Sequence, residues 1–306
     1  MTPPIHEKGF AKLNLYLHVG PPLPTGRHPL ESLVAFADIG DDVSLEPIEG
    51  PEHRLTIDGP FAGGLAEDTL GDNLCLRALG AYQRASGWKD ARFHIRLTKN
   101  LPIAAGLGGG SADAAAVLRA VNAVAPAPLS LDDLAQLARP LGADVPACVY
   151  ARPVMMEGTG EDVRPAACPP FGVVLANPRA PAPTGEVYRQ FDALNLGAEF
   201  HRDPDLGSGS MDEVLARLGA RRNDLEAPAI TIAPTIAEMM RALDELPGRL
   251  LARMAGSGAS GFALFETAAA AATARTSFAA RIPAWWSASG VLIATSSLSR
   301  AERAAE

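Results

Sequence analysis

The stretch LPIAAGLGGGSADAAA, residues 101–116, is where the chain's chemistry is most legible. Gly106, Gly108, Gly109 and Gly110 fall within five positions, and Ser111 follows. Glycines let backbone N–H groups converge on an anion and let phosphate oxygens approach without meeting a Cβ. A helix beginning near Ser111 would add unpaired N–H donors and partial positive charge. Ser111 would cap that helix or face a phosphate or metal ion. A flexible linker is polar on both sides, whereas this loop joins an alternating strand to an apolar helix. A dinucleotide fingerprint needs glycine where Ser111 stands, and a Walker A loop needs a lysine after the glycines. The His-Arg-Asp and Asp-Phe-Gly motifs of protein kinases are also absent. The plain alternative is a tight strand-to-helix turn, which needs fewer than four glycines. A phosphate cradle is the preferred reading.

Three other stretches can supply the rest of a phosphoryl transfer. Lys12 and Asn14 lie two apart on a strand and so share a face. Taken alone they read as a solvated polar face. Asp144, in LGADVPACVY, reads alone as a helix N-cap. Gly256-Ser257-Gly258 is either a plain turn or a second backbone wall for a ligand. Phosphoryl transfer needs a polyphosphate cradle, a cation against developing charge and a carboxylate for the attacking hydroxyl. The glycine loop, Lys12 and Asp144 match these three needs.

The elements that must position these residues follow from periodicity. KGFAKLNLYLHVG alternates, with Ala11, Leu13, Leu15, Leu17 and Val19 on one side. LVAFADIG, DVSLEPI and HRLTIDG read as separate short strands. NLCLRALGAYQRASG reads as a helix with Leu74, Ala78 and Ala81 on one stripe and a stop at Gly87. ARFHIRLTKNL alternates again and leads into the glycine loop. SADAAAVLRAVNAVA is a helix ending before Pro126, and SLDDLAQLARPLG a helix with Ser130 and Asp133 in a capping-box arrangement. A second part begins near residue 155. It holds strands FGVVLANP, GFALFE and a final VLIATSS, with helices SMDEVLARLG, PTIAEMMRALDEL and TAAAAATARTSFAAR. Strands and helices mix without regular βαβ alternation, so the expected class is α+β, with domains 1–155 and 156–306.

Composition narrows the function. The 306 residues, 47% hydrophobic, suit two ordinary cores. No apolar run reaches the ~18 residues of a membrane span, and MTPPIHEKGF lacks the order of a signal peptide. Cys75, Cys148 and Cys168 are odd in number and lack CxxC spacing, which predicts reduced thiols, no zinc site and a cytoplasmic protein. The net charge of −8, without basic clusters, argues against a nucleic-acid partner.

With these residues in view, PIAAGLGGGSADAAA resembles the central motif of the GHMP kinases, Pro-x-x-x-Gly-Leu-Gly-Ser/Gly-Ser-Ala/Ser. AKLNL, LGADVP and GSGAS resemble further stretches of that family, in order along nearly the whole chain. The resemblance implies the two-domain GHMP fold. Its N-terminal domain would be like the second domain of ribosomal protein S5, its C-terminal domain ferredoxin-like, with the active site in the cleft between them. It implies ATP and Mg2+ as cofactors, with no metal-ligating side chain assigned, and small-molecule partners only, in a monomer or homodimer without membrane or nucleic acid. Lys12 and Asp144 would be the catalytic pair: Asp144 as base on an acceptor hydroxyl, Lys12 holding it ionised and stabilising the transferring group. Positioning by Asp144 would count for more than its proton affinity. Pro102, Ala105, Gly106, Leu107, Gly108, Gly109, Gly110 and Ser111 would bind the ATP phosphates, with Lys99 and Asn73 on the nucleotide side. Asn14 would position the acceptor.

GRHPLESL and PAPTGEVY resemble the family stretches that bind a cytidine diphosphate-linked polyol. There His28 would read the cytosine, Thr184 would contact the cytidine and Tyr188 would stack on the ring. Gly256, Ser257 and Gly258 would line the substrate. Arg27 stands where the family has a stacking tyrosine, and a guanidinium can also stack. The alternatives are a homoserine- or mevalonate-type kinase, or a non-catalytic sensor on the same fold.

Overall fold

The computed structural model describes residues 3–64, 72–198, 200, 203 and 205–294. The chain forms two compact units, each from two stretches: Met1–Lys12 with Gly40–Tyr150, and Leu13–Ile39 with Ala151–Glu306. The first strands are β1 (Ile5–Asn14), β2 (His18–Val19) and β3 (Leu30–Ile48). Sequence predicts a break at Gly40, yet β3 runs through it as one strand. Gly40 serves a close approach rather than a turn, because a Cβ there would lie 2.3 Å from the Gly9 carbonyl oxygen.

In the first unit, β4 (Arg54–Asp58) pairs in parallel with β5 (Arg92–Thr98), and β5 pairs antiparallel with Asp42–Ile48 of β3. α1 (Leu74–Ser86) packs on α2 (Gly109–Val124), and α2 packs on α4 (Val145–Tyr150) beside α3 (Leu131–Ala138). The alanines of α2 let these helices come close; Ala112, Ala114, Ala115 and Ala116 are all buried. The buried stripe of α1 is Cys75, Ala78, Leu79 and Tyr82, one position off the expected Leu74, Ala78 and Ala81. Tyr82 sets that rotation, since its hydroxyl donates to Asn122 Oδ1 on α2 at 2.8 Å.

In the second unit, Ser32–Val34 of β3 pairs with β6 (Val154–Glu157), which pairs with β7 (Asp162–Pro165). A four-stranded antiparallel sheet combines β8 (Gly172–Asn177), β9 (Leu251–Met254), β10 (Gly261–Phe265) and β11 (Trp286–Val291) in the order β11-β8-β10-β9. With it come α5 (Thr184–Ala193), α6 (Met211–Gly219), α7 (Glu226–Ile232), α8 (Thr235–Asp244) and α9 (Ala268–Arg281). α8 lies on β9 and β10, and α9 on β8 and β11. The last strand begins earlier than expected. The sequence WSASGV, not VLIATSS, pairs with β8, and residues 295–297 of the expected strand lie outside the described residues. Gly290 permits this pairing, because a Cβ there would sit 2.0 Å from Asp38 Oδ1. Among the described residues no helix is long and apolar enough to cross a membrane.

His18 gives the second unit a pH dependence. It is buried between the rings of Tyr16 and Phe200, and neither ring nitrogen has a hydrogen-bond partner among the described residues. Burial lowers its pKa from 6.5 to about 4. Between those values the unfolded chain binds the extra proton, so stability falls as pH drops through that window. His18→Phe is expected to flatten the fall in Tm between pH 6.5 and pH 4. An unchanged slope would assign the acid sensitivity to other groups.

Candidate functional site

The glycine loop lies where sequence placed it, but its helix starts two residues early. α2 begins at Gly109 and Gly108 is its N-cap at φ +65°, with no side-chain cap. Ser111 is therefore the third residue of the helix and not its cap. Ala104 and Gly106 also have positive φ, so the backbone turns repeatedly before the helix starts. Pro102, Ala105 and Leu107 are buried and hold the loop to the core. Gly110 is exposed, and a Cβ built on it meets nothing within 4 Å. A Cβ on Gly109 would instead face Lys99 Nζ at 3.5 Å and Asp41 Oδ2 at 3.6 Å, on the inner side. Gly110 is thus the position that tests the open side. Gly110→Val is expected to raise KM for ATP about tenfold or more with Tm unchanged; unchanged ATP kinetics would remove the loop from nucleotide binding.

Lys12 is tied to this loop. Its amide donates to the Leu107 carbonyl at 2.9 Å, and its side chain lies 3.1 Å from where a Gly108 Cβ would be. Lys12 Nζ pairs with Asp144 Oδ1 at 3.0 Å. Lys12 and Asn14 are both buried, which excludes the solvated-face reading. Asp144 starts α4 through its backbone carbonyl, which accepts from the Cys148 amide at 3.1 Å. Its side chain goes to Lys12 and remains 37% exposed, so the N-cap reading accounts only for its backbone. A cation, a reachable carboxylate and an uncapped helix N-terminus thus belong to one compact unit.

Two residues expected at the nucleotide have other partners. Asn73 caps α1, its Oδ1 accepting from the Cys75 amide at 2.9 Å. Lys99 is buried, and its ammonium donates to Asp41 and, at 2.7 Å, to Asp113 Oδ2. Burial opposes the charge on Lys99, but the two carboxylates outweigh it and raise its pKa. Burial also pushes the Asp113 carboxyl up to about 8, against the pull of Lys99. Sequence reasoning missed Asp41 and Asp113. The signal for Asp113 was a lone carboxylate inside the alanine run SADAAAV.

In the second unit, His28 is buried with Nε2 2.7 Å from Asp192 Oδ1. The ring of Tyr188 lies 5.0 Å away, tilted by 41°, so these two residues do come together. Asp192 was missed, and it fixes which His28 nitrogen remains available. Arg27 is exposed and donates to the Thr159 carbonyl at 3.0 Å. Thr184 opens α5 and is 2.9 Å from Ser257, oxygen to oxygen. Gly256 and Gly258 have φ of +54° and +87°. Asn223, also missed, pins their turn by donating to the carbonyls of Met254 at 2.9 Å and Gly256 at 2.8 Å. Asn14 donates to Ser32 Oγ at 2.8 Å, and Ser32 donates to the Tyr16 carbonyl.

Comparison with known proteins identifies the family. The GHMP kinases N terminal domain matches residues 73–152, and the GHMP kinases C terminal domain matches residues 204–284. A 4-diphosphocytidyl-2-C-methyl-D-erythritol kinase of Caulobacter vibrioides is 46% identical over 281 residues, covering 90% of this chain and 95% of its own. One from Cereibacter sphaeroides is 47% identical over 278 residues, with coverage of 90% and 95%. A solved 4-(cytidine 5'-diphospho)-2C-methyl-D-erythritol kinase superposes with a TM-score of 0.74 at 33% identity, over 94% of this chain and 99% of its own. A homoserine kinase from Cytophaga hutchinsonii, 21% identical with a TM-score of 0.71 over 96% of each chain, shares the fold. The lysine–aspartate pair beside a glycine loop therefore sits within a known kinase architecture, and the chain belongs to the GHMP kinase family.

Proposed function

We propose that the chain transfers the terminal phosphoryl group of ATP to the 2-hydroxyl of 4-diphosphocytidyl-2-C-methyl-D-erythritol, giving the 2-phosphate and ADP, a step of non-mevalonate isoprenoid synthesis. The observation that carries the chemistry is the Lys12–Asp144 pair, held against the glycine loop by the Lys12 amide. The names of relatives at 46–47% identity support the choice of acceptor. The bond from the acceptor oxygen to phosphorus forms as the bond to the ADP oxygen breaks. Asp144 orients the hydroxyl and takes its proton, and Lys12 offsets charge on the transferring oxygens. The open face at Gly110 and the uncapped N-terminus of α2 fit an ATP polyphosphate, with Gly106 to Ser111 as its cradle. Among the described residues no three His, Cys, Asp or Glu side chains form a metal cluster. Magnesium would accompany the phosphates, adding charge neutralisation. In the second unit His28, Tyr188 and Thr184 would recognise the cytidine, and Asn14 would position the polyol. We take the enzyme to be cytoplasmic, a monomer or homodimer acting on small molecules.

The test is to supply the full-length protein with ATP, magnesium and either the cytidylyl alcohol, homoserine or mevalonate. Phosphorylation of the cytidylyl alcohol at carbon 2, read by phosphorus NMR, is expected. Turnover of homoserine or mevalonate in its place would overturn the assignment, and binding without turnover would make the protein a sensor.

A further inference from the structure

Beneath the glycine loop three ionisable side chains are buried together: Asp41, Lys99 and Asp113. Burying an ion cluster is costly, and breaking one by removing a partner is costlier still. Its placement therefore calls for a physical account. Asp41 lies on β3. Its Oδ2 accepts from Lys99 Nζ, and its Oδ1 accepts the amides of Asn100 at 2.5 Å and Leu101 at 2.8 Å. Those residues open the loop. Lys99 Nζ also donates to Asp113 Oδ2 at 2.7 Å, and Asp113 lies in the first turns of α2, where the loop closes. One ammonium thus joins the entry of the loop to its exit. It does so from the inner side, below Gly109, while the open side is at Gly110. Lys99 is only 4% exposed, with its donors directed at two carboxylates, and this is a poor posture for a nucleotide ligand.

We propose that Lys99, with Asp41 and Asp113, is the clasp of the glycine loop: these are positioning residues that fix the spacing of its two ends and so the aperture offered to the ATP phosphates. This rests on the loop binding ATP, as proposed above. Each partner has a distinct task. Asp41 orders the loop's entry through two backbone amides, Asp113 anchors the helix start, and Lys99 joins them. A loop with free ends must pay ordering entropy when it binds phosphate, and a clasp removes that cost beforehand.

The experiment compares Asp113→Ala and Asp113→Asn in the full-length protein by Tm, kcat and KM for each substrate. Asp113→Ala is expected to raise KM for ATP about tenfold, with kcat and the acceptor KM within about threefold. Asp113→Asn keeps an acceptor oxygen for Lys99 and is expected to rescue KM for ATP to within about twofold of the parent. The triple variant Asp41→Asn/Lys99→Met/Asp113→Leu replaces the whole cluster with uncharged side chains of similar volume, which folds tolerate better than a broken cluster, and keeps an acceptor oxygen at position 41 for the Asn100 and Leu101 amides. It should fold and still show the raised KM for ATP. An unchanged KM for ATP in folded Asp113→Ala or in the folded triple variant, no rescue by Asp113→Asn, or equal rises in both substrate KM values, would overturn the clasp. Gly110→Val separates the two readings. A raised KM there with none in the clasp variants overturns the clasp alone, and no rise at Gly110 overturns the phosphate loop itself.

Discussion

Asp144→Asn is expected to lower kcat by about 10²- to 10⁴-fold, the usual worth of a positioned acid–base group. Asparagine keeps the shape and one oxygen near Lys12 but neither carries charge nor takes a proton. Because Asp144 begins α4 through its backbone carbonyl, the helix start should survive the change. KM for ATP should stay within about threefold, since the glycine loop is untouched. Lys12→Met is the companion variant. It keeps the buried stem that lies against Gly108 and deletes the ammonium, and a loss on the order of 10²- to 10³-fold in kcat is expected. Steady-state assays of ADP release, with nucleotide affinity measured by calorimetry, check both. If Asp144→Asn kept near-parental turnover, the pair would be structural and the proposed mechanism would fall.

Gly108→Val should do comparable damage by a different route. At φ +65° an L residue costs about 1–2 kcal/mol, and a β-branched one is a genuine outlier. The new Cβ would also sit 3.1 Å from both Cβ and Cε of Lys12, closer than side chains normally pack. The lysine must move, and a displacement of about 1 Å at a reacting group can cost on the order of 10²-fold. The expected result is a lower Tm together with a kcat loss of about that size. The contrast with Gly110→Val is the informative part, because that side chain meets open space and should act on ATP affinity alone. A folded Gly108→Val protein with parental kcat would show that the contact between loop and lysine has no catalytic weight.

The groups that do the chemistry were readable because their types are demanded by the reaction and their motifs are local. The glycines and Ser111 are contiguous, and Lys12 and Asp144 each lie in a short recognisable stretch. What supports them was not readable, because it arises from contacts between distant parts of the chain. Asp41 meets Lys99 across 58 positions, and His28 meets Asp192 across 164. Neither carboxylate stands in a pattern that names its partner. Lys99 was read on the nucleotide side from the family resemblance, and its two buried carboxylate partners were not legible for the same reason. Gly40 misled the strand reading: glycine usually marks a turn, and here it marks two backbones passing close together.

The division of the chain also constrains how the protein is made. Leu13–Ile39 belongs to the same compact unit as Ala151 onward, so it leaves the ribosome 112 residues, from 39 to 151, ahead of its partners. At ~5–20 residues per second that is a wait of about 6–22 s. During it, Ser32–Val34 lacks β6, and the Leu17 backbone lacks Arg222 and Asp224, its partners in the finished unit. The first unit is complete once Tyr150 has emerged, so it can close around its glycine loop while the second unit still lacks most of Ala151 onward. A fragment ending at Tyr150 would lack β6 and the Arg222 and Asp224 partners, leaving Ser32–Val34 and the Leu17 backbone without their pairing in the finished unit.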